Sequence, residues 1–214
     1  MAVTELPGSG GSNVAHVVGW RRNFGRGRVA VGAMAVAVLS SCVGSVTQQQ
    51  FQEEVQSRGG GLSQDVILDA VVAVADDQGD DPVQLRSVSV VASRVSLEAR
   101  VPGSPEDLDA YSFGTSGQLG GDGLDGPEPV ARSSTETPLE STLFTAQAAG
   151  ARRFDEMVDA ALAEADLPGG YASGATISRP GGGVDPQTVV TVTNVRTTVT
   201  VTLSPDASVL GVQR

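Results

Sequence analysis

Few side chains in this chain could do chemistry, and their types narrow what that chemistry could be. The single His, His16, and the single Trp, Trp20, both lie upstream of Cys42, which is the one thiol, and there is no Lys. From Cys42 onward the sequence therefore lacks the His for Ser-His-Asp or Cys-His catalysis, a Lys for Schiff bases, and the His and Cys ligands of a zinc site. Carboxylates, hydroxyls, two Tyr and Arg remain, which leaves carboxylate-pair hydrolysis or Ca²⁺ ligation as the open options. No carboxylate pair sits at the end of a strand-like run beside aromatic residues that could hold a sugar, so a non-enzymatic role is expected. The cation candidates are Asp76, Asp77, Asp80 and Asp81, four acids at the end of an expected helix, where they oppose the macrodipole. They lack the alternating spacing of an EF-hand loop and read as a solvated acidic turn. Gly120-Gly121-Asp122-Gly123-Leu124-Asp125 fits a Ca²⁺-binding nonapeptide repeat, but one copy cannot supply ligands from stacked turns and reads as linker. No metal and no cofactor is expected.

Cys42 has a different context. Arg21, Arg22, Arg26 and Arg28 precede an apolar run of 11 residues, Val29 to Leu39, and small residues then lead to Cys42. A run of that length suits the core of a secretory signal and falls short of the ~20 residues that span a bilayer as a helix. It carries no amphipathic period, which speaks against a buried helix of the folded domain. Leu39-Ser40-Ser41-Cys42 resembles a bacterial lipobox. That resemblance implies that residues 1–41 are a signal peptide and that Cys42 becomes the lipidated, palmitate-bearing start of a short tether, residues 42–46. It also implies a protein on the extracytoplasmic face of the cell membrane, held there by about 0.8 kcal/mol per buried methylene. Arg21-Arg22-Asn23-Phe24 resembles the core of a twin-arginine signal with Trp20 in place of the usual Ser or Thr, so general secretion and twin-arginine export both remain open. With one Cys the exported part can form no internal disulfide.

Beyond the leader ten Arg face 24 acids, a net charge of −14 for residues 42–214. Such a surface repels nucleic acid and anionic headgroups, so no nucleic-acid partner is expected. Arg as the sole strongly basic residue, with abundant Ala, Gly and Val, is the bias of a high-GC genome and points to an actinobacterial source.

The elements that would position a site come in two rounds. Thr47 and Gln50 have capping-box spacing and open a helix that ends at Gly59-Gly60-Gly61. Ser63 caps a second helix, with Leu62 and Ile67 at staple positions and Ile67, Leu68, Val71, Val72 and Ala75 as its apolar stripe. A shift of 90 residues repeats the plan: Thr137 and Glu140 match the first cap, Gly150 matches Gly60, and Met157 to Asp166 matches Ile67 to Asp76 with five of ten residues identical. Phe144, Phe154, Met157 and Leu162 fall at helical spacings and read as core, and Arg152-Arg153 as the close of the helix before them. After each helix pair the period becomes 2, giving strands at residues 87–91, 95–101 and 108–113, and again at 175–178, 190–193, 199–203 and 209–212. The expected fold is therefore α+β: two tandem units, residues 47–113 and 137–214, each a helix pair packed on an antiparallel sheet, joined by a flexible linker over 114–136. Thr191, Thr193, Thr198, Thr200 and Thr202 line one face of the second sheet, either as plain solvent-facing Thr or as a recognition surface.

This layout, with Asp206 to Gly211 as a closing segment, resembles PepSY-type domains of exported bacterial proteins and is similar to the β-lactamase-inhibitor-protein fold. Phe51, Gly61-Leu62-Ser63 and Val66 resemble the helix connection of small outer-membrane assembly lipoproteins of that group. The resemblance implies a monomeric, non-enzymatic lipoprotein that binds or regulates another envelope protein through its sheet face. A second reading is a carrier of a lipid or other hydrophobic ligand, with a cavity lined by Leu97, Val101, Val199 and Val201.

Overall fold

A computed structural model of the chain describes residues 56–92, 94–114, 123–133, 136–181 and 183–214. The lipobox, Cys42 and the expected helix from Thr47 up to residue 55 lie outside the described residues.

Helix α1 spans Gln64–Gln78. It starts where the Ser63 hydroxyl accepts from the Val66 N–H at 3.5 Å and ends at Gly79, whose left-handed φ of 64° turns its N–H onto the Ala75 carbonyl. Leu62 and Ile67 are both buried at its start, as a hydrophobic staple requires. Four strands follow: β1 (Leu85–Val91), β2 (Arg94–Arg100), β3 (Leu108–Gly114) and β4 (Gly123–Pro129). The second half contributes α2 (Phe154–Ala165), with Asp155 and Glu156 favourably placed in its first turn, and then β5 (Tyr171–Ser178), β6 (Gln187–Thr193), β7 (Thr198–Leu203) and β8 (Val209–Gln213).

All eight strands form one antiparallel sheet in the order β4-β3-β2-β1-β5-β6-β7-β8. Its halves join at β1 and β5, in register from Ser87 with Ser178 to Val91 with Gly174. One face buries Leu85, Val88, Val90, Val95, Leu97, Ala99, Ile177, Val190, Val199 and Val201 against Ile67, Ala70 and Val74 of α1 and Phe154, Met157, Val158 and Ala161 of α2, in a single core. This alternation of buried and half-exposed residues is what a sheet covered on one side produces.

Two tandem units with helix pairs are thereby overturned. The chain makes one continuous sheet, and among the described residues each half supplies one α-helix longer than a turn. The helix expected from Thr137 is instead a 3₁₀ turn at Leu139–Ser141, followed by a bridge in which Leu85 and Phe144 exchange both backbone hydrogen bonds at 2.8 Å. The Thr142 hydroxyl donates to the Leu139 carbonyl and helps to stop the helix there. Arg152 and Arg153 accordingly close no helix; they lie in the 3₁₀ turn Ala151–Arg153 that opens α2, where Arg153 pairs with Glu156 at 2.6 Å. The linker is corrected as well, because residues 123–129 form β4, an edge strand paired with β3 from Asp109 with Pro129 to Gly114 with Gly123.

Residues 130–133 and 136–144 lie between that edge and the helix layer. Leu139 and Leu143 bury against Leu108 in a small second core with Val130. Leu108 pairs with Arg100, on the opposite side of the sheet from Leu97 and Tyr111, so this segment crosses the end of the uncovered face before Phe144 enters the main core.

Candidate functional site

The side of the sheet away from the helices is an open surface of short polar side chains. Asp125, Ser112, Ser96, Ser89, Thr176, Val189, Thr202 and Gly211 stand in one row across all eight strands. A neighbouring row holds Val91, Arg94, Thr191 and Thr200. The Thr residues noted in the sequence are cross-strand pairs here: Thr191 faces Thr200, and the Thr193 and Thr198 hydroxyls stand 3.0 Å apart. Ser and Thr fit this surface because they suit a pleat and keep their hydrogen-bonding capacity toward solvent. The row on the β1–β3 side, with Ser89, Ser96 and Ser112, is one that Thr periodicity alone does not reveal.

Two clefts indent this face. One, of about 500 Å³, runs over β1 to β4 and is lined by Ser89, Arg94, Ser96, Ser112, Asp125 and Glu128. The other, of about 430 Å³, lies where Arg132, Glu136, Thr137 and Thr142 of the crossing segment meet the sheet, and the two share Ser87 and Glu98. Three Arg line the second cleft. Arg86 bonds Glu98 through Nε at 2.7 Å and stands 3.5 Å from Glu136 through Nη1. Arg132 reaches Glu106 at 3.3 Å and the Thr137 carbonyl at 3.0 Å, while its buried Nε stands 3.4 Å from Glu136 but is too poorly aligned for a hydrogen bond. Arg179 donates through Nη1 to the Leu143 carbonyl at 2.5 Å, and its buried Nε has no partner. The Ser133 N–H, with Arg86 and Arg132 adding to it, holds the Glu136 carboxyl below the ordinary Glu range. These three Arg are far apart in sequence, and no spacing signal joins them.

The other candidates fare differently. Asp76, Asp77, Asp80 and Asp81 are all exposed, and among the described residues no group of three His, Cys, Asp or Glu gathers closely enough to hold a metal. Gly123 to Asp125 of the nonapeptide-like motif belong to β4, and Gly120 to Asp122 lie outside the described residues. Phe144, Phe154 and Met157 are buried in the core, with Leu162 packed against it. Leu97 lies on β2 and Val199 and Val201 on β7, with three strands between them in the sheet, and all three are packed in the core; Val101 follows β2 and is half-buried. Among the described residues no helix is long and apolar enough to cross a membrane.

No family model matches the chain, and no curated protein matches it in sequence. Among solved structures the chain is similar to the crystal structure of a "putative lipoprotein" from Clostridium difficile 630, at 10% identity over 69% of this chain and 91% of that one, with a TM-score of 0.46. A likeness of that degree leaves function to the chain's own residues.

Proposed function

We propose that the chain is a lipid-anchored protein of the extracytoplasmic face of the cell membrane, and that its open sheet face is a non-enzymatic contact surface for another envelope protein. The observation that carries the second half is the row that crosses all eight strands, with Ser or Thr on five of them and no helix among the described residues above it. A face of short hydroxyls around Val91, itself 46% exposed, offers many donors and acceptors at little entropic cost. Its carboxylates Glu98 and Glu136 are ion-paired, which suits a structural role better than proton transfer. The first half rests on the order of Arg cluster, apolar run and Leu39-Ser40-Ser41-Cys42.

The test uses the full chain in its own membrane. A photo-cross-linking residue at Ser89 or Thr200 should give a protein adduct, and one at Asp69 on the outer side of α1 should not. Adducts from Asp69 alone would sink the assignment of the face, and a lipid-sized adduct from the core position Val201 would favour the carrier reading. Cys42→Ser should release the protein from the membrane fraction, and retention of that variant would end the anchoring reading.

A further inference from the structure

The cleft at the crossing segment holds a cation that the protein itself leaves uncompensated. In a chain with 25 acids and 14 basic residues, an Arg that is only half exposed ordinarily finds a carboxylate, yet Arg179 pairs with none among the described residues. Its bonded partner is the neutral Leu143 carbonyl. The carboxylates lining the cleft, Glu98 and Glu136, are taken by Arg86 and Arg132, and Glu106, which also reaches Arg132, lies outside the lining with its side chain 77% exposed. Glu98, Glu136 and Glu106 thus balance Arg86 and Arg132 from the lining and the rim, and none of them reaches the Arg179 guanidinium. The Ser178 and Thr137 hydroxyls line the same cleft and make no hydrogen bond among the described residues.

We infer that this cleft is a carboxylate-binding subsite centred on Arg179, and that the carboxylate is the C-terminus of a partner peptide chain lying along the open face. One guanidinium without a carboxylate matches a monoanion, whereas the second charge of a phosphate dianion would meet Glu98 and Glu136 in the same cleft. A planar guanidinium also matches a planar carboxylate in two parallel hydrogen bonds. The peptide source follows from continuity, since the cleft shares Ser87 and Glu98 with the hydroxyl-lined groove that leads over β1 to β4 toward Arg94. This last step rests on the contact-surface reading above; the carboxylate subsite does not.

The test is a titration of the full chain, followed through the Arg179 Nε–Hε resonance, with acetate, acetyl-triglycine, its C-terminal amide and inorganic phosphate at constant ionic strength. The acetate and the free-acid peptide should both move that resonance, the peptide more tightly, and the amide should bind about tenfold more weakly. In calorimetry, which needs no Arg179 signal, Arg179→Gln should abolish binding of the free-acid peptide, whereas Arg152→Gln, in the turn that opens α2, should keep it. Binding of acetate without any gain for acetyl-triglycine would keep the subsite, assign it to a free small acid and count against the peptide reading. No response to acetate beyond that to chloride, or tighter binding of phosphate than of acetate, would overturn the inference in the wild-type protein, so the outcome stands even if Arg179→Gln does not fold.

Discussion

Gly60 and Gly61 are neighbours in one loop, and the structure assigns the same substitution opposite mechanisms at the two. An Ala Cβ at Gly60 would meet nothing within 4 Å, but the residue sits at φ +75°, in the left-handed region. Leaving Gly there costs an Ala about 1–2 kcal/mol, partly offset by 0.4–1 kcal/mol from a stiffer unfolded chain, so Gly60→Ala should lose about 1 kcal/mol. Gly61 has no such strain. Its added Cβ would overlap the Ala92 carbonyl oxygen and stand 2.6 Å from the carbonyl carbon and 3.0 Å from Cα, all backbone of the turn between β1 and β2. Backbone cannot rotate aside as a side chain does, so either the loop or the hairpin must shift, and Gly61→Ala should lose about 3 kcal/mol despite the same unfolded-state gain. Urea unfolding of both variants by circular dichroism measures the difference, which at ~1–3 kcal/mol per molar corresponds to midpoints on the order of 1 M apart. If Gly61→Ala proves as stable as Gly60→Ala, the loop before α1 is not clamped against the β1–β2 turn, and the packing at this end of the sheet is wrong.

Three further outcomes follow from the packing and charges. Phe144→Ala removes a ring that is 2% exposed and should cost about 3–5 kcal/mol in the same urea assay, since the crossing segment loses its anchor in the main core; a loss below about 1 kcal/mol would mean that residue 144 is not packed there. Thr188 stands 1% exposed between Ile177 and Leu203, so Thr188→Val should raise stability by about 1 kcal/mol, read as a melting point higher by a few degrees. A lower melting point would show that its hydroxyl has a partner. Because the Glu136 pKa is depressed in the folded state, its contribution is present above the ordinary Glu value of about 4.3 and is lost as pH falls through the lower folded value. The stability difference between wild type and Glu136→Gln should thus be level from neutrality to about pH 4.3 and shrink only below it; shrinkage already above about pH 5 would contradict the assigned direction.

Much of the sheet was legible because its signal is local. Val95, Leu97 and Ala99 alternate with Ser96, Glu98 and Arg100, and Val199 and Val201 with Thr198, Thr200 and Thr202, and each set forms a strand with its apolar side in the core. The Ser63 cap likewise marks where α1 begins. What failed was non-local. Thr137 and Glu140 have the spacing of a helix cap, but Leu139 and Leu143 bury against Leu108 on one side of the sheet while Phe144 is turned to the other by its bridge to Leu85. Residues 123–129 read as loop from their Gly, Asp and Pro, and become β4 because the edge of β3 supplies backbone partners. The cleft of Arg86, Arg132 and Arg179 exists only once β1, β5 and the crossing segment meet, and no sequence window contains it.

The distribution of charge gives the two sides of the molecule different work. The net charge of the chain is −11, and much of the acid is carried on the helix layer, by Asp65, Asp69, Asp76 and Asp77 on α1 and Asp155, Glu156, Asp159 and Glu164 on α2. The open face carries hydroxyls and charges of both signs, Glu98, Asp125, Glu128 and Glu136 beside Arg86, Arg94, Arg132 and Arg179, and Arg94 and Arg179 pair with no carboxylate among the described residues. Summed fields of this kind repel anionic partners from the helix layer and leave the hydroxyl face as the approach that an acidic group can take. Neutralising Arg94 and Arg179 should therefore slow association of an anionic partner and weaken its salt dependence, while neutralising acids of the helix layer should speed it; stopped-flow association rates at two ionic strengths measure both. Equal effects from the two layers would mean that the face is not distinguished by charge, and the hydroxyl rows alone would have to account for its selectivity.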